Sequence, residues 1–249
     1  MAIIFASQDS IMKKISFAFI AIMFVLNISA QNKKESKILS RAADHIVLQL
    51  SSDHWIGAPD SIKNHMKGLS RGLNVYVMLD KPFKNSPNLS VAFGIGIGTS
   101  GVYFKNMGID IKSKTAILPF NNLDTLDHFK KYKLATSYLE VPVEFRYTAN
   151  PEKENKSIKA AIGFKVGTLL NAHTKGKTLQ DKDGNNINTY TLKEISNKRF
   201  LSSTRISATA RIGYGNFSLF GSYQLNNIFK DGAAADTRLF QVGLTLSGL

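Results

Sequence analysis

Residues 138–147 read YLEVPVEFRY, in which Leu139, Val141, Val143, Phe145 and Tyr147 alternate with Glu140, Pro142, Glu144 and Arg146. That period of two is a strand with one apolar face and one charged face. The same period recurs and predicts eight strands, at about 45–53, 70–80, 89–104, 134–149, 157–173, 199–214, 217–226 and 237–247. In the fifth, for example, Ile158, Ala160, Ile162, Phe164 and Val166 oppose Lys159, Ala161, Gly163, Lys165 and Gly167.

The connections alternate in length. KPFKNSPN, NPEKENK and Gly215-Asn216 are short, and the last is a two-residue hairpin signal. The others, roughly 54–69, 105–133, 174–198 and 227–236, are long. An up-and-down barrel puts all the short connections at one rim and all the long ones at the other, as outer-membrane barrels do.

Alternation alone does not say which face is outside. A soluble lipocalin-like carrier keeps its apolar face inward. Three features favour the opposite arrangement. The polar face is rich in glycine, with Gly94, Gly96, Gly98, Gly163, Gly167, Gly213 and Gly243 upon it, which would make room for charged side chains crossing a narrow lumen. Charges of both signs stand at mid-strand on that face, and several strands exceed the roughly 9–11 residues of a tilted bilayer crossing. The expected fold is therefore all-β, an eight-stranded antiparallel up-and-down transmembrane β-barrel. Its lumen would hold a paired network of Glu140, Glu144, Arg146, Lys159, Lys165, Arg205 and Arg211, since unpaired buried charges are costly. Pro142 removes a ladder donor and predicts a bulge or a skipped bond. Tyr103, Phe104, Tyr138, Tyr147, Phe200, Tyr214, Phe217 and Phe240 lie near strand ends and read as interfacial girdles.

Composition adds limits. With 43% hydrophobic and 20% charged residues, the chain of 249 residues is not disordered by composition, and with no cysteine it holds neither disulfide nor thiolate metal site. The net charge of +14 favours anionic partners in general, but the basic residues are spread along the chain and no dense block suggests nucleic acid. Segment 12–31, MKKISFAFIAIMFVLNISAQ, has a basic start, an apolar run from Ile15 to Leu26 and a small residue, Ala30, before Gln31. It reads as a secretory signal peptide ending at Ala30, with residues 1–11 an upstream extension. The expected organisation is a signal peptide over 1–30, a polar lead over 31–44 and a barrel domain over 45–249. Membrane insertion would be by strands.

Chemistry-bearing motifs are sparse. None of the histidines, His45, His54, His65, His128 and His173, has a metal-ligand spacing. Strand parity aims His45 and His173 into the lumen near opposite rims. DKDGNNINTYTLKE (181–194) places Asp181, Asp183 and Asn185 as a calcium loop would, but Asn186 replaces the required Gly and Leu192 the required Glu. A turn at Asp183-Gly184 is expected instead. GIGIGTSG lacks the following helix that a phosphate loop needs, and no GxSxG elbow is present. No catalytic residue, cofactor or metal is therefore assigned.

The chain resembles the PorT-like outer-membrane β-barrel proteins of Bacteroidota over about 45–249. The carrying segments are FGIGIGTSGVYF (93–104), YLEVPVEFRY (138–147), IGFKVGTLLNAHTKG (162–176), RIGYGNFSLFGSYQLNNIFK (211–230) and FQVGLTLSGL (240–249), behind a signal peptide ending ISAQ. The chain departs from many outer-membrane barrels by ending Ser247-Gly248-Leu249 rather than in an aromatic residue. The resemblance implies outer-membrane residence and a place beside a secretion or gliding apparatus. The leading expectation is a non-enzymatic barrel with a side-chain-filled lumen, in contact with membrane lipid or lipopolysaccharide, and meeting a protein partner through its long loops. In the loop 105–133, Ile117, Leu118, Phe120, Leu123, Leu126 and Phe129 could cap the barrel or meet that partner. The alternatives are an outer-leaflet lipid-modifying enzyme, using His128 or His173 with a serine, and a soluble lipocalin-like carrier.

Overall fold

A computed structural model describes residues 46–196 and 198–248. The expected signal peptide and polar lead, with His45, lie outside the described residues.

In chain order the elements are β1 (Ile46–Ile56), a short helix α1 (Asp60–Lys63), β2 (Arg71–Phe83), β3 (Ser86–Phe104), β4 (Met107–Ile109), β5 (Phe120–Asn122), β6 (His128–Thr148), β7 (Ile158–Gln180), β8 (Asn186–Ile195), β9 (Thr204–Tyr214), β10 (Phe217–Gln224) and β11 (Arg238–Ser247). Eight of these form a ring of antiparallel neighbours, β1, β2, β3, β6, β7, β9, β10 and β11. The ring closes where β1 pairs with β11, from Val47 opposite Ser247 to Ile56 opposite Arg238. Closure removes the open sheet edges that hydrocarbon could not satisfy.

The side chains settle which face is outside. Val143, Phe164 and Ile212 are 48%, 60% and 61% exposed, whereas Glu144, Lys165 and Arg211 are 8%, 3% and 8% exposed. A lipocalin would show the reverse, so the soluble-carrier alternative is overturned. On β7 the outward apolar series runs from Ile158 to Leu170. At about 2.5 Å of height per tilted residue that is roughly 30 Å, the thickness of a hydrocarbon core.

Pro142 produces a skip, not a bulge. The β3–β6 ladder lapses between Phe93–Val143 and Gly96–Glu140 with no change of register, while β6–β7 runs on through Pro142 opposite Lys165. The glycines have two causes where one was expected. At Gly98 and Gly167 a Cβ would meet the lumen charges, 2.8 Å from Arg205 Nη2 and 2.8 Å from Glu140 Cγ. At Gly94, Gly96, Gly163, Gly213 and Gly243 it would meet the backbone carbonyl of the neighbouring strand. The tight curl of a narrow barrel brings those backbones too close for any side chain on the concave face.

The girdle expectation divides. Tyr147, Tyr214 and Phe217 are exposed on the outer face at the short-turn rim, joined by Phe83. Phe104, Tyr138 and Phe200 are fully buried inside. Their even positions in β3 and β6 already share parity with lumen residues; proximity to a strand end concealed this for Phe104 and Tyr138.

The loop side is more structured than its sequence suggests. Segment 174–198, expected as a loop, is largely strand: β7 continues to Gln180 and β8 returns beside it. Together with the start of β6 they form a three-stranded arm beyond the ring. The turn at its tip is the expected one: Gly184 has φ +88°, and Asp181 accepts from Asp183 N at 3.0 Å and Asn185 N at 2.9 Å. A register shift at Ser137/Tyr138 passes over Leu170, so that Tyr138 faces Leu169 and Ser137 faces Asn171. Beyond it the burial alternation of β7 inverts: Ala172 and Thr174 are buried, and His173 leaves the lumen for the outer face. Parity counted without the bulge pointed His173 the wrong way.

Two predictions follow from these contacts. Phe164→Arg places a cation near the bilayer midplane and should lower unfolding stability by about 2–4 kcal/mol, read by denaturant titration in vesicles, while Thr191→Arg on the arm leaves it unchanged. In the loops, Asp124 is held below the ordinary 3.8 by hydrogen bonds from Asn106 and then His65, at 3.1 Å each. Its pKa is lower folded than unfolded, so its contribution is complete above that ordinary value and fades as pH falls through the depressed one. The protection factors of the Asn106 and Asp124 amides, that is exchange rates corrected for the intrinsic pH dependence, should therefore stay constant down to about pH 4 and fall only below it.

Candidate functional site

The seven charged residues expected in the lumen are all buried, and the Glu140 and Glu144 carboxylates gather four of the others around them. The central group lies at mid-barrel. Arg205 of β9 donates to Glu140 Oε1 of β6 through Nε at 2.9 Å and Nη2 at 2.6 Å. Tyr76 Oη of β2 donates to Glu140 Oε2 at 2.5 Å, and Lys165 Nζ of β7 stands 3.4 Å from the same oxygen. Lys165 also approaches Tyr76 Oη at 3.3 Å, and the Arg205 guanidinium lies 4.1 Å from the centre of the Tyr138 ring. One carboxylate thus ties β2, β6, β7 and β9 across the lumen.

Nearer the short turns, Glu144 Oε2 accepts from Arg146 Nε at 2.8 Å and from Arg211 Nη2 at 3.0 Å. At the rim itself Lys159 Nζ lies 3.9 Å from Glu154 Oε2. Strand order sets these heights: Glu140 and Glu144 are two inward positions apart on β6, and Lys165 and Lys159 three apart on β7.

Several partners were not singled out from the sequence. Tyr76 carries no charge to single it out, and Tyr138 is expected in an interfacial girdle instead. Asp53 lies at the end of the first segment; its Oδ1 accepts from Ser51 Oγ at 2.5 Å and Gln241 Nε2 at 3.0 Å. Strand parity was the available signal for all of them. Gln49, Asn74 and Thr245 form a further chain, with Asn74 donating to Gln49 Oε1 and Gln49 to Thr245 Oγ1 at 3.2 Å each. Next to this chain on the same wall, Val47 of β1, Tyr76 and Met78 of β2 and Ala92 of β3 make a small apolar cluster.

Towards the loop rim the lumen turns apolar. Trp55 sits edge-on to Phe104 and to Phe229, ring centres 5.5 Å apart in each case. Val102, Leu134, Leu169, Phe200 and Leu239 pack around them in one buried cluster that also includes loop residues Met107, Ile109, Ile111 and Leu118. The two lumen cavities measure about 10 Å³ each, room for about one water. Among the described residues, side chains fill both the charged and the apolar layers of the lumen.

The loop 105–133 does cap the barrel in part. Leu118 is buried and its N–H bonds the Ala233 carbonyl at 2.7 Å; Phe120 packs against Phe229. Tyr132 Oη fastens the β4–β5 hairpin, accepting from Ile109 N and donating to Ile109 O at 3.0 Å each. Ile117 and Leu126 instead remain exposed. Between this hairpin and the arm lies a pocket of about 230 Å³, lined among others by Met107, Leu123, Phe129, Leu192, Asp127 and Glu194.

Among the described residues the histidines form no relay. The His128 Nδ1 bond is to the Leu126 carbonyl at 3.1 Å, His173 Nδ1 is buried without a hydrogen-bond partner, and His65 Nε2 is 3.1 Å from Asp124. No cluster able to hold a metal occurs among the described residues.

A comparison with curated proteins finds no match. Among solved structures, Ail, the attachment invasion locus protein of Yersinia pestis, is similar at 13% identity and a TM-score of 0.34, over 82% of this chain and 95% of that one. The family model described as "Outer membrane protein beta-barrel domain" matches residues 39–247, the whole of the closed ring. With an apolar belt outside and paired charges within, the chain belongs to this family of outer-membrane β-barrel proteins.

Proposed function

We propose that the protein is a sealed, non-enzymatic anchor in the outer membrane that presents a binding surface on its loop side. The observation that carries this reading is the pairing of a filled lumen with a projecting arm. Cavities of about 10 Å³ conduct nothing larger than water. The exposed edge strand β8 bears Ile187, Tyr190, Leu192 and Ile195, all exposed. An unpaired edge with apolar side chains suits the addition of a strand from another protein. The resemblance to PorT-like barrels supports the more specific form, in which that protein is part of a secretion or gliding apparatus.

The test is affinity recovery of the tagged barrel from detergent-solubilised native membranes, beside an Ile187→Pro/Tyr190→Pro variant that blunts the edge of β8. A partner recovered by the parent and lost from the variant is the expected result, with both migrating as folded, heat-modifiable barrels. Recovery of the barrel alone from both overturns the partner role. A deletion strain that secretes and glides normally overturns only the narrower apparatus role.

The central group also has a measurable weight. Glu140→Ala leaves Arg205 and Lys165 buried without their carboxylate, and removing one partner of a buried pair costs about 3–5 kcal/mol. The unfolding midpoint in denaturant should fall accordingly, and an added Arg205→Leu should recover part of the loss because one uncompensated charge is then gone.

A further inference from the structure

The shift over Leu170 changes which side chains the arm turns outward. Lys133 on β6 stands opposite Lys175 on β7, and Lys175 stands opposite Lys193 on β8. Lys131 and Lys177 repeat the arrangement one row higher. Five lysines thus share one outer face, with like charges directly opposite one another, a placement that destabilises a sheet.

The arm offers this row little internal relief. Glu194 belongs to the opposite face, across from buried Thr174, and its Oε1 is 3.8 Å from Lys112 Nζ. Lys133 leans over Tyr103, 5.4 Å from the ring centre, and its Nζ lies 3.7 Å from where a Cβ on Gly101 would stand. Gly101 therefore leaves a shallow step beneath the ammonium. In that lower row Arg71, Gly101, Ala135, His173 and Ile195 are successive cross-strand neighbours.

The height of the row identifies its occupant. Ile195 and Leu170, both exposed, mark the top of the apolar belt on this side. Lys175 and Lys193 stand two residues beyond His173 and Ile195, roughly 5 Å above the top of the belt at about 2.5 Å per residue, where long cationic side chains reach headgroup phosphates. The row faces sideways, continuous with the lipid-contact surface, and not upward into the medium. We propose that Lys133, Lys175 and Lys193 bind the phosphate of an anionic glycolipid in the leaflet that surrounds the loop side of the barrel. The site rests on the outer-membrane setting and is independent of any protein partner on β8.

The test uses the full-length barrel in neutral detergent micelles, with lipid A, a phosphorylated glycolipid, as the probe. Binding is followed by native mass spectrometry and by thermal unfolding. The parent should retain lipid A and gain melting temperature from it. Lys133→Gln/Lys175→Gln/Lys193→Gln should hold it roughly a hundredfold more weakly at low ionic strength, since each lysine near an anionic surface contributes about fivefold. Without lipid the same variant should melt higher than the parent, because the repulsion is relieved. Lys114→Gln/Lys182→Gln/Lys230→Gln, equally uncharged elsewhere on the loop side, should behave as the parent. Equal retention by both variants overturns the proposal, as does loss confined to a soluble polyphosphate. Parent binding that does not weaken with added salt overturns it without any variant. Heat-modifiable migration of every protein separates these results from failure of the barrel itself.

Discussion

The Glu140 carboxylate is the point on which the interior depends. A barrel with lipid outside must place its polar residues inward, and in a ring this narrow they have almost no water to meet. Glu140 resolves the difficulty by accepting from Arg205 and Tyr76 and neutralising Lys165. Gly98 and Gly167 give that cluster its volume. Glu144 does the same for Arg146 and Arg211 one level down. Each carboxylate thus holds two cations in its layer, and the central group is the more completely bonded of the two, since Arg211 Nε and Nη1 are buried without a hydrogen-bond partner.

Above them the chain changes strategy. The loop-side end of the lumen is filled by Trp55, Phe104, Phe229 and their neighbours, with loop residues entering the same cluster. An apolar stopper tolerates the approximate geometry of loops, where a charged layer would leave unpaired groups whenever a loop shifted. The stopper also ties the loops to the barrel, and the β6–β8 arm projects beyond it. Binding on such a molecule is confined to its outside: the edge and tip of the arm, the pocket behind it, and the face turned toward lipid.

That lipid-facing surface shows how one irregularity can reassign chemistry. Along β7, alternation from Ile158 aims His173 inward and Lys175 and Lys177 with it. The register shift over Leu170 turns all three outward, where Lys175 meets Lys133 and Lys193. Three ammonium groups abreast serve no purpose in holding the sheet together. Their position just above the apolar belt makes them intelligible as ligands for phosphate.

Alternation within YLEVPVEFRY and its counterparts was enough to set the strand count, the antiparallel order, the outward belt and the inward placement of all seven charged residues, because a period of two admits only two faces and glycine with mid-strand charge distinguishes them. Alternating short and long connections were enough to sort the rims. The pairings were not legible: that Lys165 and Arg205 share Glu140 while Arg146 and Arg211 share Glu144 depends on stagger between strands, which no single strand encodes. Nor were the burial of Phe104 and Phe200, the strand character of 174–198, or the outward turn of His173. Each is decided by a contact between distant segments — a stopper that needs aromatic bulk, a third strand added to an arm, a bulge that inverts parity — and such contacts exist only once the ring has closed.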